Sequence, residues 1–466
     1  MIENIINTTN NALYSYILII LLVAGGIWFT VRTRFAQFRL LGQQFKAVTE
    51  KTDNKGVSSF QALMVSTASR VGTGNIIGVA TALCVGGFGS VFWMWIIAII
   101  GAASAFVEST LAQIYKKRGK DGCYGGPAYY IEAATKHRGL AIVFSVFLIL
   151  TYGIGFNMLA SYNLQATFSA YSFYNPTVTP WLIGLVIALL VGYCLIGGGK
   201  RLVKVTGTLV PIMGALYILV AIAISLINIK ALPDVFKQIF IGAFDWKAIF
   251  GGFSGSCVMY GIKRGLFSNE AGVGSAPNAS ASAEVSHPAK QGLVQVLSVF
   301  IDTLLVCSAT AFMCMSSGIT PPSTSDQAAA YVQNALSVTL GNVGPIFITV
   351  AMVLFAFTTL LGNLFYVDKT INYLAGKELN RKTRNIYYIL ASAVIFVGAG
   401  LSADLLWGVA DILMAGMTII NMPIILYLGK YAIRTLKDYE KKAKQGGEIS
   451  FRTSDIGLPH KTDYWN

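Results

Sequence analysis

Residues 66–79 read Ser-Thr-Ala-Ser-Arg-Val-Gly-Thr-Gly-Asn-Ile-Ile-Gly-Val, an apolar segment interrupted by glycines and an asparagine. An offset of 194 residues lays Arg70-Val-Gly-Thr-Gly-Asn75-Ile-Ile-Gly78-Val79 over Arg264-Gly-Leu-Phe-Ser-Asn269-Glu-Ala-Gly272-Val273, so the pattern R-x4-N-x2-G-V occurs twice. Without a gap, the same offset places Phe106-Val-Glu108-Ser109 over Phe300-Ile-Asp302-Thr303. Two agreements in one register mark an internal repeat.

Outward from these stretches the chain is unusually apolar. Of its 466 residues 55% are hydrophobic and 12% charged, against roughly 25% charged in an average soluble domain. That excludes an ordinary water-soluble protein. Eleven apolar spans can be marked, at 14–31, 60–85, 89–115, 141–171, 180–197, 206–228, 249–280, 291–316, 343–372, 386–401 and 405–430, of about the length that crosses roughly 30 Å of hydrocarbon. Five spans begin near residue 60 and five near 249, and an odd number of crossings turns the second unit over. The expected architecture is an all-α membrane protein of eleven transmembrane helices, with a peripheral first helix and a five-plus-five inverted repeat containing two broken helices. The corresponding units are 1–58 (peripheral helix and cytoplasmic connector), 59–228 and 249–430 (the two repeats) and 431–466 (a basic cytoplasmic tail). Matching interrupted spans in inverted repeats are the signature of secondary transporters, whose site lies near the midplane.

The formal charge of +14 is distributed as an orientation signal. The alternate segments 32–55, 116–138, 200–204, 290, 369–384 and 430 onward hold 29 of the 35 Lys and Arg residues, while the opposite loops hold only Lys230, Lys237 and Lys247. Basic residues accumulate in cytoplasmic loops, which predicts an outside N-terminus and a cytoplasmic C-terminus. Charge spread over many short loops, without one basic face, also argues against nucleic acid as a partner. Residues 1–11 carry no Lys or Arg and no cleavage site follows the first span, so that span is expected to stay as a helix and not be removed as a signal peptide. Six single cysteines and three scattered histidines fit neither a zinc nor a haem site. No P-loop, G-x-S-x-G or H-E-x-x-H supports an enzyme. No cofactor is expected.

Val71-Gly72-Thr73-Gly74-Asn75 has poor helix propensity, and unwinding it frees N–H and C=O groups that lipid cannot satisfy. Half-helix N-termini favour a carboxylate, and carbonyls at the other half's C-terminus favour a cation. One break can thus serve both ends of an amino acid and sodium pair. Close helix packing is the other use of membrane glycines, but it explains neither the asparagine nor the duplication. Glu108 and Asp302 are carboxylates inside apolar spans, costly unless paired. Each is expected either to accept hydrogen bonds from the freed amides of the preceding break or to pair with Arg70 or Arg264; a proton-relay role is the alternative. Glu270 fits a helix cap or an ionic latch. Polar stripes at Asn157, Ser161 and Gln165, and at Thr359, Asn363 and Tyr366 with Thr358 beside them, recur at helical spacing. They serve either as interhelical glue or as cavity lining.

The segment 66–79, Gly125-Gly-Pro-Ala-Tyr-Tyr-Ile and Gly265-Leu-Phe-Ser-Asn-Glu-Ala-Gly-Val-Gly-Ser-Ala-Pro resemble the alanine/glycine:cation symporter family, over roughly residues 14–435. The resemblance implies a leucine-transporter-type fold in a prokaryotic inner membrane, importing alanine, glycine or a similar small amino acid with sodium, less often with protons. It implies substrate contacts from Gly72, Thr73, Gly74, Asn75, Gln165, Asn363 and Tyr366, with Phe267 narrowing the cavity and Asn269 in the second break. For the cation it implies the carbonyls of Ala68 and Val71 with the hydroxyls of Thr358 and Thr359. Arg70, Glu108, Arg264, Glu270 and Asp302 are then support or gating residues. The partners are the amino acid, sodium and membrane lipid. A proton-coupled carrier and an amino-acid-gated channel remain as alternatives. The charged stretches 36–58 and 121–138 are candidates for interfacial helices.

Overall fold

The computed structural model describes residues 2–50, 56–119, 122–252, 256–377, 379–446, 449–459 and 461–465. Those residues are almost entirely helical, with one small antiparallel hairpin pairing Lys117–Gly119 with Gly122–Tyr124. Large apolar side chains such as Leu182, Val186, Leu189, Ile212, Leu216 and Leu219 point outward, while Glu108, Asp302, Arg70 and Asp411 are buried. This inversion is what a hydrocarbon solvent selects, because backbone groups are satisfied within each helix and side chains meet lipid.

Eight described helices are long and apolar enough to cross a membrane, nine when a bent pair counts as one span. The expected count of eleven is not reached by that measure. Span 249–280 is assembled from the short helices Trp246–Gly251, Cys257–Asn269 and Pro277–Ser282, with 253–255 outside the described residues. Span 386–401 lies mostly within Arg381–Gly398, whose first turn is basic. The last helix, Ala403–Gln445, runs about four turns beyond its apolar part. The first helix packs along Ser90–Ile114; a Cβ on Gly26 would stand 3.0 Å from the Ile100 carbonyl, so glycine permits that approach. Short helices at Ala36–Arg39, Leu41–Val48 and Pro127–Thr135 occupy the stretches read as interfacial, and residues 51–55 and 121 of those stretches fall outside the description.

Both interruptions are present. The first span starts at a capping box, the Gln61 amide donating to Ser58 Oγ (3.2 Å) and the Ser58 amide to Gln61 Oε1 (3.0 Å). It ends at Arg70, where Val71 leaves helical geometry at ψ 89°, and the chain resumes as Gly74–Gly86 at an angle of 50°. The second interruption is longer and lies slightly later than expected: Ser268 is still helical, and the chain is irregular from Glu270 to Ala276. Glu270, Gly272 and Gly274 there have φ of 53°, 84° and 89°. The two glycines supply left-handed backbone at low cost, and Pro277 sets the next half-helix at its first turn.

Candidate functional site

In an unbroken helix the carbonyl of Ala68 would accept from the Gly72 amide, and that of Val71 from the Asn75 amide. Here the Gly72 amide donates to Asn75 Oδ1 (2.7 Å) and the Asn75 amide to the Gly72 carbonyl (3.1 Å). Both carbonyls expected to face a cation have therefore lost their helical donors. Across from them lies helix Val343–Ala375, and a Cβ on Gly72 would collide with Thr359 Oγ1. The Thr359 hydroxyl is buried and has no hydrogen-bond partner among the described residues. Thr358 turns elsewhere: its hydroxyl donates to Leu354 O (3.0 Å) and faces Met213 Sδ at 3.4 Å. Two backbone carbonyls and a hydroxyl are hard oxygen donors of the kind that replace an alkali cation's hydration shell.

Beside this point lies a small cavity of about 10 Å³, lined by Ser69, Arg70, Gly72, Thr73, Gly74, Phe156, Phe267 and Thr359. That is the room of roughly one water, so an amino acid enters only when the lining moves. Phe267 closes it as one member of a stack: its ring lies 4.5 Å from Phe156 and 4.8 Å from Trp407, and the Arg264 guanidinium sits 4.0 Å over Trp407. Beyond the stack Asp411 holds Lys263 Nζ at 2.8 Å and Arg264 Nη2 at 2.9 Å, all three buried. Asp411 escaped the sequence reading, although an acid inside an apolar span is a site hypothesis by default. Phe156 and Trp407 escaped it because aromatics in apolar spans look like core.

The carboxylates brace the breaks in a crossed manner. Glu108 accepts from the Gly272 amide (3.3 Å) and from Asn421 Nδ2 (2.9 Å). It thus holds the second break, where the first had been expected. Asp302 accepts from Asn75 Nδ2 (2.7 Å) in the first break and from Ser268 Oγ and Thr303 Oγ1 (both 2.8 Å). Glu270 also joins the two spans, taking Ser69 Oγ at 3.0 Å and Ser275 Oγ at 2.7 Å. Pairing of Glu108 or Asp302 with Arg70 or Arg264 is not what forms: Arg264 bonds Asp411, and Arg70 Nη1 donates to Gln295 Oε1 at 2.8 Å. Among the described residues Arg70 Nε and Nη2 have no partner.

Other expected substrate residues are placed less directly. Asn75 has both ends of its amide engaged in bracing. Asn269 Oδ1 caps the second break at the Ala271 amide (3.0 Å). Asn363 bridges Ser69 Oγ (2.7 Å) and Asn157 Oδ1 (3.0 Å), so the two polar stripes meet beside the first break. Tyr366 packs edge-on against Tyr152, ring centres 5.4 Å apart. Gln165 is drawn away, accepting from the Tyr174 hydroxyl at 2.9 Å. In its place Asn163, two residues earlier, donates to Thr73 Oγ1 at 3.2 Å.

A family model described as the Sodium:alanine symporter family matches residues 1–453. The chain belongs to that family. Amino-acid carrier protein AlsT of Bacillus subtilis is 40% identical, the match covering 99% of this chain and 97% of the relative. The probable sodium/glutamine symporter GlnT of the same organism is also 40% identical, over 97% of this chain and 93% of its own. Sodium/alanine symporter AgcS of Methanococcus maripaludis is 35% identical, over 95% and 98%. Membership makes this chain a multi-pass membrane transporter, not an enzyme, and cation-coupled amino-acid symport its activity.

Proposed function

We propose that this family member imports alanine, glycine or a comparably small neutral amino acid with sodium, across the inner membrane, with its N-terminus outside and C-terminus in the cytoplasm. The observation that carries the reading is the first break, where the carbonyls of Ala68 and Val71 have lost their helical donors and the unpartnered Thr359 hydroxyl lines a small cavity together with Thr73 and Gly74 at the start of the next half-helix. Sodium sits between Ala68 O, Val71 O and Thr359 Oγ1. The substrate carboxylate takes the amides of Thr73 and Gly74, orphan donors at the start of the second half-helix, with Arg70 adding positive charge from the cytoplasmic side. Ion and carboxylate need the same unwound segment, so each raises the other's affinity by an equal factor.

Phe156, Phe267 and Trp407 limit side-chain size, and the Lys263–Arg264–Asp411 cluster forms the outer closure above them. Access alternates by rocking one helix bundle against another, Glu108, Glu270 and Asp302 holding the two breaks in shape and together while it does. The name of the glutamine relative supports a second reading, a larger polar substrate, which the tight aromatic lid opposes. Counterflow in proteoliposomes loaded with alanine, in sodium or choline, separates these. Exchange by alanine, glycine and serine only in sodium is expected. Sodium-independent exchange would favour the proton-coupled carrier, and stronger exchange by glutamine or leucine would overturn the size argument.

A further inference from the structure

Described residues of the tail, 449–459 and 461–465, fold back on the membrane core, and Asp463, Tyr464 and Trp465 lie against the inner end of the second broken span. Helix Pro277–Ser282 ends at Ala283. The Ala283 carbonyl accepts from Gln113 Nε2 and from Lys116 Nζ, both at 2.9 Å, and Gln113 Nε2 also reaches the Ser280 carbonyl. Beside it the Glu284 amide donates to the Val57 carbonyl (2.9 Å), a parallel bridge that joins the inner ends of both broken spans.

Lys116 is fully buried, a position an ammonium holds only with charge and donors satisfied. Two of its partners come from the tail: its Nζ lies 3.9 Å over the Tyr464 ring and 4.9 Å from the Trp465 ring centre. Trp465 Nε1 donates to the Gln113 carbonyl (2.7 Å), and Asp463 Oδ2 accepts the Arg118 amide (2.7 Å). The tail is itself folded for this, with the Thr453 amide on the Trp465 carbonyl (3.1 Å) and Phe451 edge-on to Trp465.

We propose that Lys116 is a positioning residue that bolts the inner gate through Ala283, and that the docked Tyr464–Trp465 pair holds that bolt in place. Tail release therefore favours opening to the cytoplasm, and gate opening loosens the tail by the same factor. The inference rests on the transporter reading and its orientation. Its test needs neither substrate nor ion: an Ala283→Cys thiol is labelled by a membrane-impermeant reagent in inside-out vesicles, in a Cys123→Ser background because Cys123 lies under Tyr464.

Truncation after Gly446, Trp465→Ala and Lys116→Met should each speed labelling at least about fivefold, the lower end of ordinary coupling, while Lys116→Arg stays near the parent rate. Trp465→Phe keeps a ring over Lys116 but cannot donate to Gln113, so an intermediate rate is expected; it decides the matter alone if the other variants do not fold. Labelling at the parent rate or slower in every folded tail variant overturns the proposal. Alanine counterflow on the same vesicles reports separately on the transport reading.

Discussion

Replacing Gly72 with alanine attacks the point where the broken span and helix Val343–Ala375 touch. The added Cβ would strike Thr359 Oγ1 and stand 3.1 Å from Thr359 Cβ and 3.3 Å from its Cγ2. The hydroxyl can rotate away, but a β-branched side chain on a helix has few rotamers, and its Cβ cannot move without the helix. Overpacking of this kind costs about 1–3 kcal/mol. In Gly72→Ala/Thr359→Ala the oxygen and the methyl are gone and only the 3.1 Å contact remains, so most of that stability returns. Function should not return, because the proposed sodium ligand has been removed with the clash. Thermal unfolding in detergent together with a sodium titration of alanine uptake separates the two effects. The expected result is a lowered Tm in the single variant, recovery in the double, and a sodium half-saturation raised about tenfold or more in both, equivalent to 1.4 kcal/mol. A double variant with parent-like sodium dependence would remove Thr359 from the site. A single variant of unchanged Tm would refute the close approach.

Asp411→Asn leaves Lys263 and Arg264 buried without their carboxylate; unpaired buried charge costs about 3–5 kcal/mol, so a lower Tm and loss of uptake are expected, and unchanged stability would contradict the cluster's role. Asp302→Asn places an amide where three donors converge; Asp302→Glu and Asp302→Asn should both reduce uptake at least tenfold (about 1.4 kcal/mol) while the protein still reaches the membrane, measured by transport per copy. Phe267→Ala removes the lid between Phe156 and Trp407, and competition by leucine or glutamine against alanine uptake should appear where the parent shows little. Exclusion persisting in that variant would place the size filter elsewhere.

Membrane class, the position of the first break and the equivalence of Glu108 with Asp302 were legible in sequence, since glycine-interrupted spans and intramembrane acids stand out against apolar surroundings. The partners of those acids were not. Nothing in spacing says that Glu108 reaches the second break and Asp302 the first, because that crossing arises from how the two interrupted spans lie together in space. Gln165 and Asn163 illustrate a related limit: both are polar residues on one helix, 200° apart around its axis at 3.6 residues per turn, and only the end-of-helix hydrogen bond to Tyr174 explains which one is drawn off. Asp411 was visible as an isolated acid but had no duplicated counterpart to draw attention to it. The docking of Tyr464 and Trp465 had no periodic signal at all, since the contacts are made by single aromatic residues outside any long helix.

Direct binding of alanine to purified protein, in sodium and in choline, tests the central claim that one unwound segment serves both ligands. Sodium should tighten alanine at least about fivefold, and saturating alanine should tighten sodium by the same factor. Equal alanine affinity in the two salts would contradict the account.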